Sequence, residues 1–279
     1  MGNHVLQKSN LHTHTNFCDG KNTPEEIVRE AIALGMETIG FSGHSYTPHD
    51  TSYCMTREGT EQYRAEIERL KQVYGDRIRI LCGIELDYYG EKLCAKYDYI
   101  IGSVHYVLLN GEHCVVDINE QTMKDAVQKY CKGDYFHYTR EYYRAVAGIV
   151  DQTNCDIVGH FDLVTKFNEG GRLFDESDPR YLKPAFEALD ALLSKDVVFE
   201  VNTGAISRGY RKDPYPASCF LRYLCEKNGR VTMSADAHRK ENLLYGFDET
   251  AMLLKNCGFR SVLTMTDHGW EEVPLNLEI

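Results

Sequence analysis

The sequence predicts an α/β architecture in one domain, 1–279, built as a parallel (β/α) barrel of seven units, one short of the usual eight. Two observations predict it. Short β-rich runs alternate with longer amphipathic helical patterns along the whole chain, with no linker, repeat or low-complexity stretch between them. Polar residues end nearly every strand instead of gathering at one switch point, which favours a barrel over its alternative, an open doubly wound sheet.

The strands are expected at 9–12, 38–42, 78–83, 99–103, 156–159, 197–201 and 231–234, with a late run at 261–265. The first helix opens on Thr23-Pro24-Glu25-Glu26, which offers an N-cap, a proline in the first turn and early acids. Ile27, Val28, Ala31, Ile32 and Leu34 continue its apolar stripe until Gly35 stops it. Further helices are expected over 58–74, 134–150, 178–194, 217–227 and 242–256, and a loop insertion with a glycine turn over 110–119.

The 43% hydrophobic content allows a sizeable core. With 31 basic against 42 acidic residues, the net charge of −11 repels phosphate backbones and excludes nucleic acid as a large partner. A small phosphorylated substrate stays compatible, because bound cations reverse the field inside one cleft. The ten cysteines show no CxxC pair, and several sit in apolar runs where a thiol packs as a small hydrophobe. No apolar signal core opens the chain and no run reaches membrane-spanning length, so no membrane association and a cytoplasmic location are expected. Oligomeric state leaves no mark in the sequence.

The chemistry gathers where the strands end. The first ends in His12-Thr13-His14 with Asp19 beyond it, and the second in Gly43-His44. Glu85 and Asp87 follow the third, His105 the fourth, and His160 and Asp162 the fifth. Glu200 and Asn202 lie on the sixth, and Asp236 and His238 close the seventh. A closed parallel barrel brings these ends to one face. Imidazoles and carboxylates cannot be buried together without a counter-charge, and divalent cations supply it. His12 and His14 alternate with Thr13, so both rings point to one side of the strand; Asp236 and His238 repeat the spacing at the strand expected beside it. His4, His49, His113, His137 and His268 end no strand and are expected to have no role in the site.

In this order, His12-x-His14 with Asp19-Gly20, Gly43-His44-Ser45, Glu85, Ser103-Val104-His105, Gly159-His160-Phe161-Asp162 and Asp236-Ala237-His238 resemble the polymerase-and-histidinol-phosphatase (PHP) superfamily. The resemblance runs from about residue 9 to residue 265. It is strongest toward the histidinol-phosphate phosphatase branch, through 41–44, 83–85, 98–106 and 200–204. It implies a distorted (β/α)7 TIM-like barrel with two or three divalent metal ions, variously zinc, iron or manganese. Carried over by motif, His12, His14, Glu85 and Asp236 hold one ion. Glu85 bridges to a second, held with His105 and His160, and Asp19, His44 and His238 hold the third.

The expected activity is hydrolysis of L-histidinol phosphate, a step of histidine biosynthesis, by in-line attack of a hydroxide bridging two metals. Metal-bound water and Asp162 are the candidate acids for the leaving alkoxide. Arg208, just past the sixth strand, and Lys166, past the fifth, are the candidate phosphate-binding cations. The alternative is a PHP-type phosphatase or phosphodiesterase on nucleotides or another small phosphoester. An amidohydrolase is disfavoured because His105 ends the fourth strand, where that class often places a modified lysine.

Overall fold

The computed structural model describes residues 8–275. In chain order the elements are β1 (Ser9–Asn10), α1 (Pro24–Ala33), β2 (Thr38–Phe41), α2 (Arg57–Tyr74), β3 (Arg79–Cys82) and β4 (Ile84–Asp87). Next come β5 (Ile100–Ser103), β6 (Tyr106–Leu109), β7 (Glu112–Val115), α3 (Glu120–Cys131), α4 (Tyr135–Ala147), α5 (Ile149–Thr153) and β8 (Ile157–Val158). The chain continues through α6 (Pro179–Leu193), β9 (Val198–Asn202), α7 (Gly204–Ser207), α8 (Ser218–Glu226), β10 (Arg230–Ser234), α9 (Phe247–Asn256), β11 (Ser261–Thr266) and β12 (Gly269–Pro274).

The fold is mixed α/β with parallel sheets. One sheet has the order β1-β2-β3 and the other β10-β9-β8-β5-β4. Isolated parallel bridges tie the strand ends further up: Thr13 pairs with Ala237, and His44 with Glu85. Through these bridges the residues after β1 sit between those after β2 and β10, with Ser42 donating to the Thr13 carbonyl at 3.0 Å and His14 to the Ala237 carbonyl at 2.9 Å.

Helix α1 starts as its sequence predicts. The Glu26 amide donates to Thr23 Oγ1 at 3.3 Å and the Thr23 amide to Glu26 Oε2 at 2.8 Å, the two halves of a capping box. Pro24, Ile27, Val28 and Ala31 are its buried residues.

Four expectations need correction. The third strand is not continuous. It breaks at Gly83, so that β3 pairs with β2 while β4 pairs with β5. The Tyr99 ring occupies the space that a Cβ at Gly83 would need, and the Asp98 carboxylate accepts from the Cys82 amide at 2.6 Å, turning the chain there. The 110–119 segment is not a plain loop insertion: β6 and β7 form an antiparallel hairpin, followed by helix α3. Asn110 and Gly111 both have positive φ (52° and 85°), as a two-residue type I′ hairpin turn requires. The single helix over 134–150 is two, α4 and α5, meeting at Gly148. The last helix starts late, at Phe247, because Gly246 in the left-handed region separates it from the short 3-10 turn at Lys240–Asn242.

Two apolar layers hold this frame. The larger packs the helices on the sheets and buries Ile27, Tyr63, Ile67, Tyr142, Leu189, Phe220 and Leu254 almost completely. A smaller one, formed by Leu11, Leu81, Tyr99, Ile101, Ile157 and Met265, plugs the space between the two sheets. Tyr99 pins it: its hydroxyl donates to the Leu11 carbonyl and, at 3.1 Å, to the Phe41 carbonyl.

Candidate metal centre

Beyond the plug, the strand ends turn polar. His12 and His14, both without exposure, flank the Thr13 bridge. Glu85 lies in β4 and is 1% exposed, and Asp236 follows β10. Asp236 has φ 46°, a left-handed conformation rare outside glycine and tolerated by Asp.

These four residues converge. His12 Nε2 lies 3.3 Å from Glu85 Oε2 and 3.7 Å from Asp236 Oδ1. His14 Nε2 lies 3.6 Å and 3.2 Å from the same two oxygens. None of the four atoms makes a hydrogen bond of acceptable geometry, although all are buried and His44 Nδ1 stands 2.8 Å from Glu85 Oε2. Buried polar groups without hydrogen bonds are rare and costly, and four of them facing one another need a cation between them. Neutral imidazole and carboxylate form the donor set that zinc, iron and manganese accept, so the residues fit such an ion.

Two further groups adjoin the first. His14, Asp19, His44 and His238 bring ligand atoms within 4.8 Å of one another, as do His44, Glu85 and His105. His238 Nε2 stands 3.1 Å from Asp19 Oδ2. His160 Nε2 is 3.0 Å from Glu85 Oε1, the same oxygen that His105 Nε2 faces at 3.5 Å, and its Nδ1 has no partner; His44 stands beside Glu85 and His105 as well. Glu85 is thus the common member, with Oε2 toward His12 and His14 and Oε1 toward His105, His160 and the Ser103 hydroxyl, which donates at 2.6 Å.

The protonation balance reads the same field. Burial pushes the His12 imidazole down, yet Glu200, Glu85 and Asp236 together hold it well above its ordinary value. Burial also pushes Glu85 up, and His44, His12 and His105 outweigh it to hold that carboxyl well below its usual range. His14, by contrast, is driven down to about 3 by burial and by the His238 and His44 rings. The pocket draws positive charge to some ring nitrogens and refuses it at others.

A buried support layer orients the rings, and sequence reasoning left it without a role. His12 Nδ1 is 2.5 Å from Glu200 Oε1. Glu200 also accepts from Ser234 Oγ, from the His160 amide at 2.7 Å and from Asn202 Nδ2 at 2.9 Å, so one carboxylate serves four donors. Asp87 does the same for His105, taking its amide at 2.9 Å and its Nδ1 at 3.2 Å. The signal was present in the two-residue spacings Glu85–Asp87 and Glu200–Asn202, which set both members on one side of a strand.

The three remaining expected residues fare unequally. Arg208 reaches the centre, donating from NH2 to Asp236 Oδ2 at 3.0 Å and from NH1 to the Asp236 carbonyl and His238 Nδ1, both at 3.1 Å; its Nε–H has no partner. Lys166 lines the cleft and donates to the Asp117 carbonyl at 2.7 Å and to Asp117 Oδ2 at 3.2 Å. Asp162 does not line the cleft. Its side chain is fully buried, Oδ2 accepts from the Ala217 amide at 2.9 Å, and burial pushes its carboxyl up to about 7. A proton on Asp162 has no direct route to a leaving group in the cleft, so we do not retain it as an acid.

The cleft over these residues has a volume of about 280 Å³. Asp50, Tyr53, Tyr106 and Asp117 also line it, with Asp117 paired to Lys166 and Tyr106 donating to Asp50 Oδ2 at 2.9 Å. Of the histidines expected to have no role, His49 and His113 stack on each other just outside it, ring centroids 3.8 Å apart. His137 and His268 lie away from the site, and His4 falls outside the described residues.

Known proteins match most of this chain. A Deinococcus radiodurans protein named "Probable histidinol-phosphatase" is 29% identical over 265 residues, covering 90% of this chain and 94% of its own. The Bacillus subtilis histidinol-phosphatase is 26% identical over 266 residues, covering 87% and 98%. The crystal structure of a Lactococcus lactis histidinol phosphate phosphatase complexed with zinc, L-histidinol and phosphate superposes with a TM-score of 0.69 at 24% identity, covering 95% of this chain and 99% of that one. The PHP domain profile matches residues 10–204, and the chain belongs to the PHP domain family.

Proposed function

We propose that the chain is a metal-dependent phosphomonoesterase that hydrolyses L-histidinol phosphate to L-histidinol and phosphate, the reaction named by its curated relatives. The observation that carries the reading is the convergence of four buried ligand atoms without hydrogen bonds on His12, His14, Glu85 and Asp236. In this reading they hold one ion. His105 and His160 hold a second through Glu85, and Asp19, His44 and His238 a third, for two or three zinc, iron or manganese ions in all. The bridges of Thr13 to Ala237 and His44 to Glu85 support a distorted (β/α)7 barrel, one domain whose mouth is this centre. No helix among the described residues is long and apolar enough to cross a membrane, and ten free thiols suit a reducing cytoplasm.

Bound divalent ions lower the pKa of water and neutralise a phosphate dianion. The residues of the chain do the rest. Arg208 fixes Asp236 through two of its nitrogens and leaves Nε–H free toward a phosphate oxygen. Lys166, tethered to Asp117, adds a second cation at the cleft wall. Glu200 and Asp87 keep Nδ1 of His12 and His105 occupied, so that Nε2 of each ring faces the centre. Asp50, beside the Tyr53 and Tyr106 rings, offers negative charge and π faces to the amine and imidazole of histidinol. The overall charge of −11 argues against a nucleic-acid substrate.

Metal analysis of the purified protein together with phosphate release from histidinol phosphate and from nucleotide monophosphates tests the reading. Preference for histidinol phosphate with at least two metal equivalents is expected; faster release from nucleotides would transfer the assignment to the nucleotide alternative. Arg208→Ala is expected to raise KM and lower kcat, and kinetics unchanged by it would remove Arg208 from the site.

A further inference from the structure

The cleft does not end at Arg208. Asp19, Arg208, Tyr210 and His238 form a partition, and the same four residues line a second lobe of about 460 Å³ on its far side. That lobe differs in charge from the cleft around Asp50. Its other lining residues are Lys21, Arg239, Ser207 and Asn242. Asp19 is its one acid, and its Oδ2 is engaged with His238 Nε2 at 3.1 Å.

Three segments build the lobe, around 19–21, 207–210 and 238–242, and the first and third are stitched to each other. The Lys21 amide donates to the His238 carbonyl at 2.9 Å, and the Lys240 amide to Asn22 Oδ1 at 3.0 Å. Lys21 and Arg239 are thereby held at one opening. Neither side chain has an ion pair or hydrogen bond among the described residues, and both line the same lobe. In a chain with eleven more acids than bases, two cations left without acids beside a third, Arg208, form a local reversal of the field.

We propose that this lobe is a second oxyanion site, which takes inorganic phosphate between Lys21 and Arg239 next to the metal centre. The ligand is a tetrahedral dianion: arginine meets two of its oxygens and lysine a third, and the open lobe admits it hydrated. The site deepens the phosphatase reading, from which it takes only the source of the ion, phosphate leaving the centre after hydrolysis. Departure through the cationic lobe separates it from the alcohol, which faces Asp50. No bond forms or breaks in this step.

Equilibrium binding of inorganic phosphate to the metal-loaded protein tests it. Two ions per chain are expected, the weaker one in the lobe. In K21A/R239A the weaker ion is lost and the tighter one kept, and each single substitution alone weakens the weaker ion roughly threefold, as exposed charge pairs allow. Both side chains are exposed, so the thermal midpoint of the variant should stay at that of the parent. Protein stripped with a chelator should lose the tighter ion and retain the one that K21A/R239A abolishes. One ion per chain in the parent, or two in K21A/R239A, would overturn the proposal. The stripped-protein measurement stands even if histidinol phosphate proves not to be the substrate, so the two readings fail separately.

Discussion

The same strands serve two opposite purposes at their two levels. Between the sheets, Leu11, Leu81, Tyr99, Ile101, Ile157 and Met265 close an apolar plug in which Tyr99 finds partners for its only polar atom. A few residues further along, His12, His14, Glu85 and Asp236 are equally buried and leave one ligand atom each without a hydrogen bond. The plug is complete as folded. The level above it is complete only with a counter-charge, which is how a rigid frame can store binding energy for cations. Stability lives in the lower level and reactivity in the upper one.

The largest effect should come from breaking the upper level. His14→Ala or Asp236→Asn is expected to abolish turnover and lower bound metal, read by metal analysis alongside phosphate release; full metal content with full activity would refute the ligand set. Chelation of the parent should lower its thermal midpoint and leave His14→Ala less affected, since the stabilisation comes from ions that bind only the folded chain. Next, Ile101→Ala opens a cavity in the plug and should cost about 2–5 kcal/mol by denaturant titration. Turnover per folded molecule should not change; a large drop in kcat at full folding would show that the two levels are not separable.

A smaller loss is expected at Glu200, which joins them. Glu200→Gln puts an amide N–H where four donors converge, and should weaken metal binding or kcat by about 10–100-fold while KM moves little. An unchanged metal dissociation constant would leave Glu200 a purely structural residue. The smallest effect concerns the rim. His49 is held below its ordinary value of 6.5 by burial and by the facing His113 ring, against Asp87 and Asp50, which raise it. A depressed histidine pKa favours the folded arrangement above the unfolded value, and that advantage fades as pH falls from 6.5 toward the folded pKa. The ring titration followed by NMR should therefore have its midpoint below 6.5 and move toward it in His113→Gln; a midpoint at 6.5 in the parent would mean that the stack does not persist in solution.

Much of the plan was legible from short-range pattern. The N-cap at Thr23 and the His-x-His alternation at 12–14 rest on spacing within a few residues; the cap forms where expected and both rings reach the centre. The corner at Gly83 was not legible, because its cause is the Tyr99 ring arriving from another strand. Asp162 misled for a related reason. It stands two residues past His160, but the turn after β8 sends its carboxylate to the Ala217 amide behind the cleft wall. The hairpin at Asn110-Gly111 is announced by its own turn residues, and the glycine turn expected there is its two-residue loop.

Residue order alone dictates which strand each histidine and carboxylate closes, since alternation and turn chemistry act over a handful of positions. It could not dictate that Glu85 would stand among His12, His14, His105 and His160 with an oxygen toward each pair. Those meetings span tens of residues. They are decided by which strands pair, where one of them breaks, and which buried carboxylate is left to hold each ring in place.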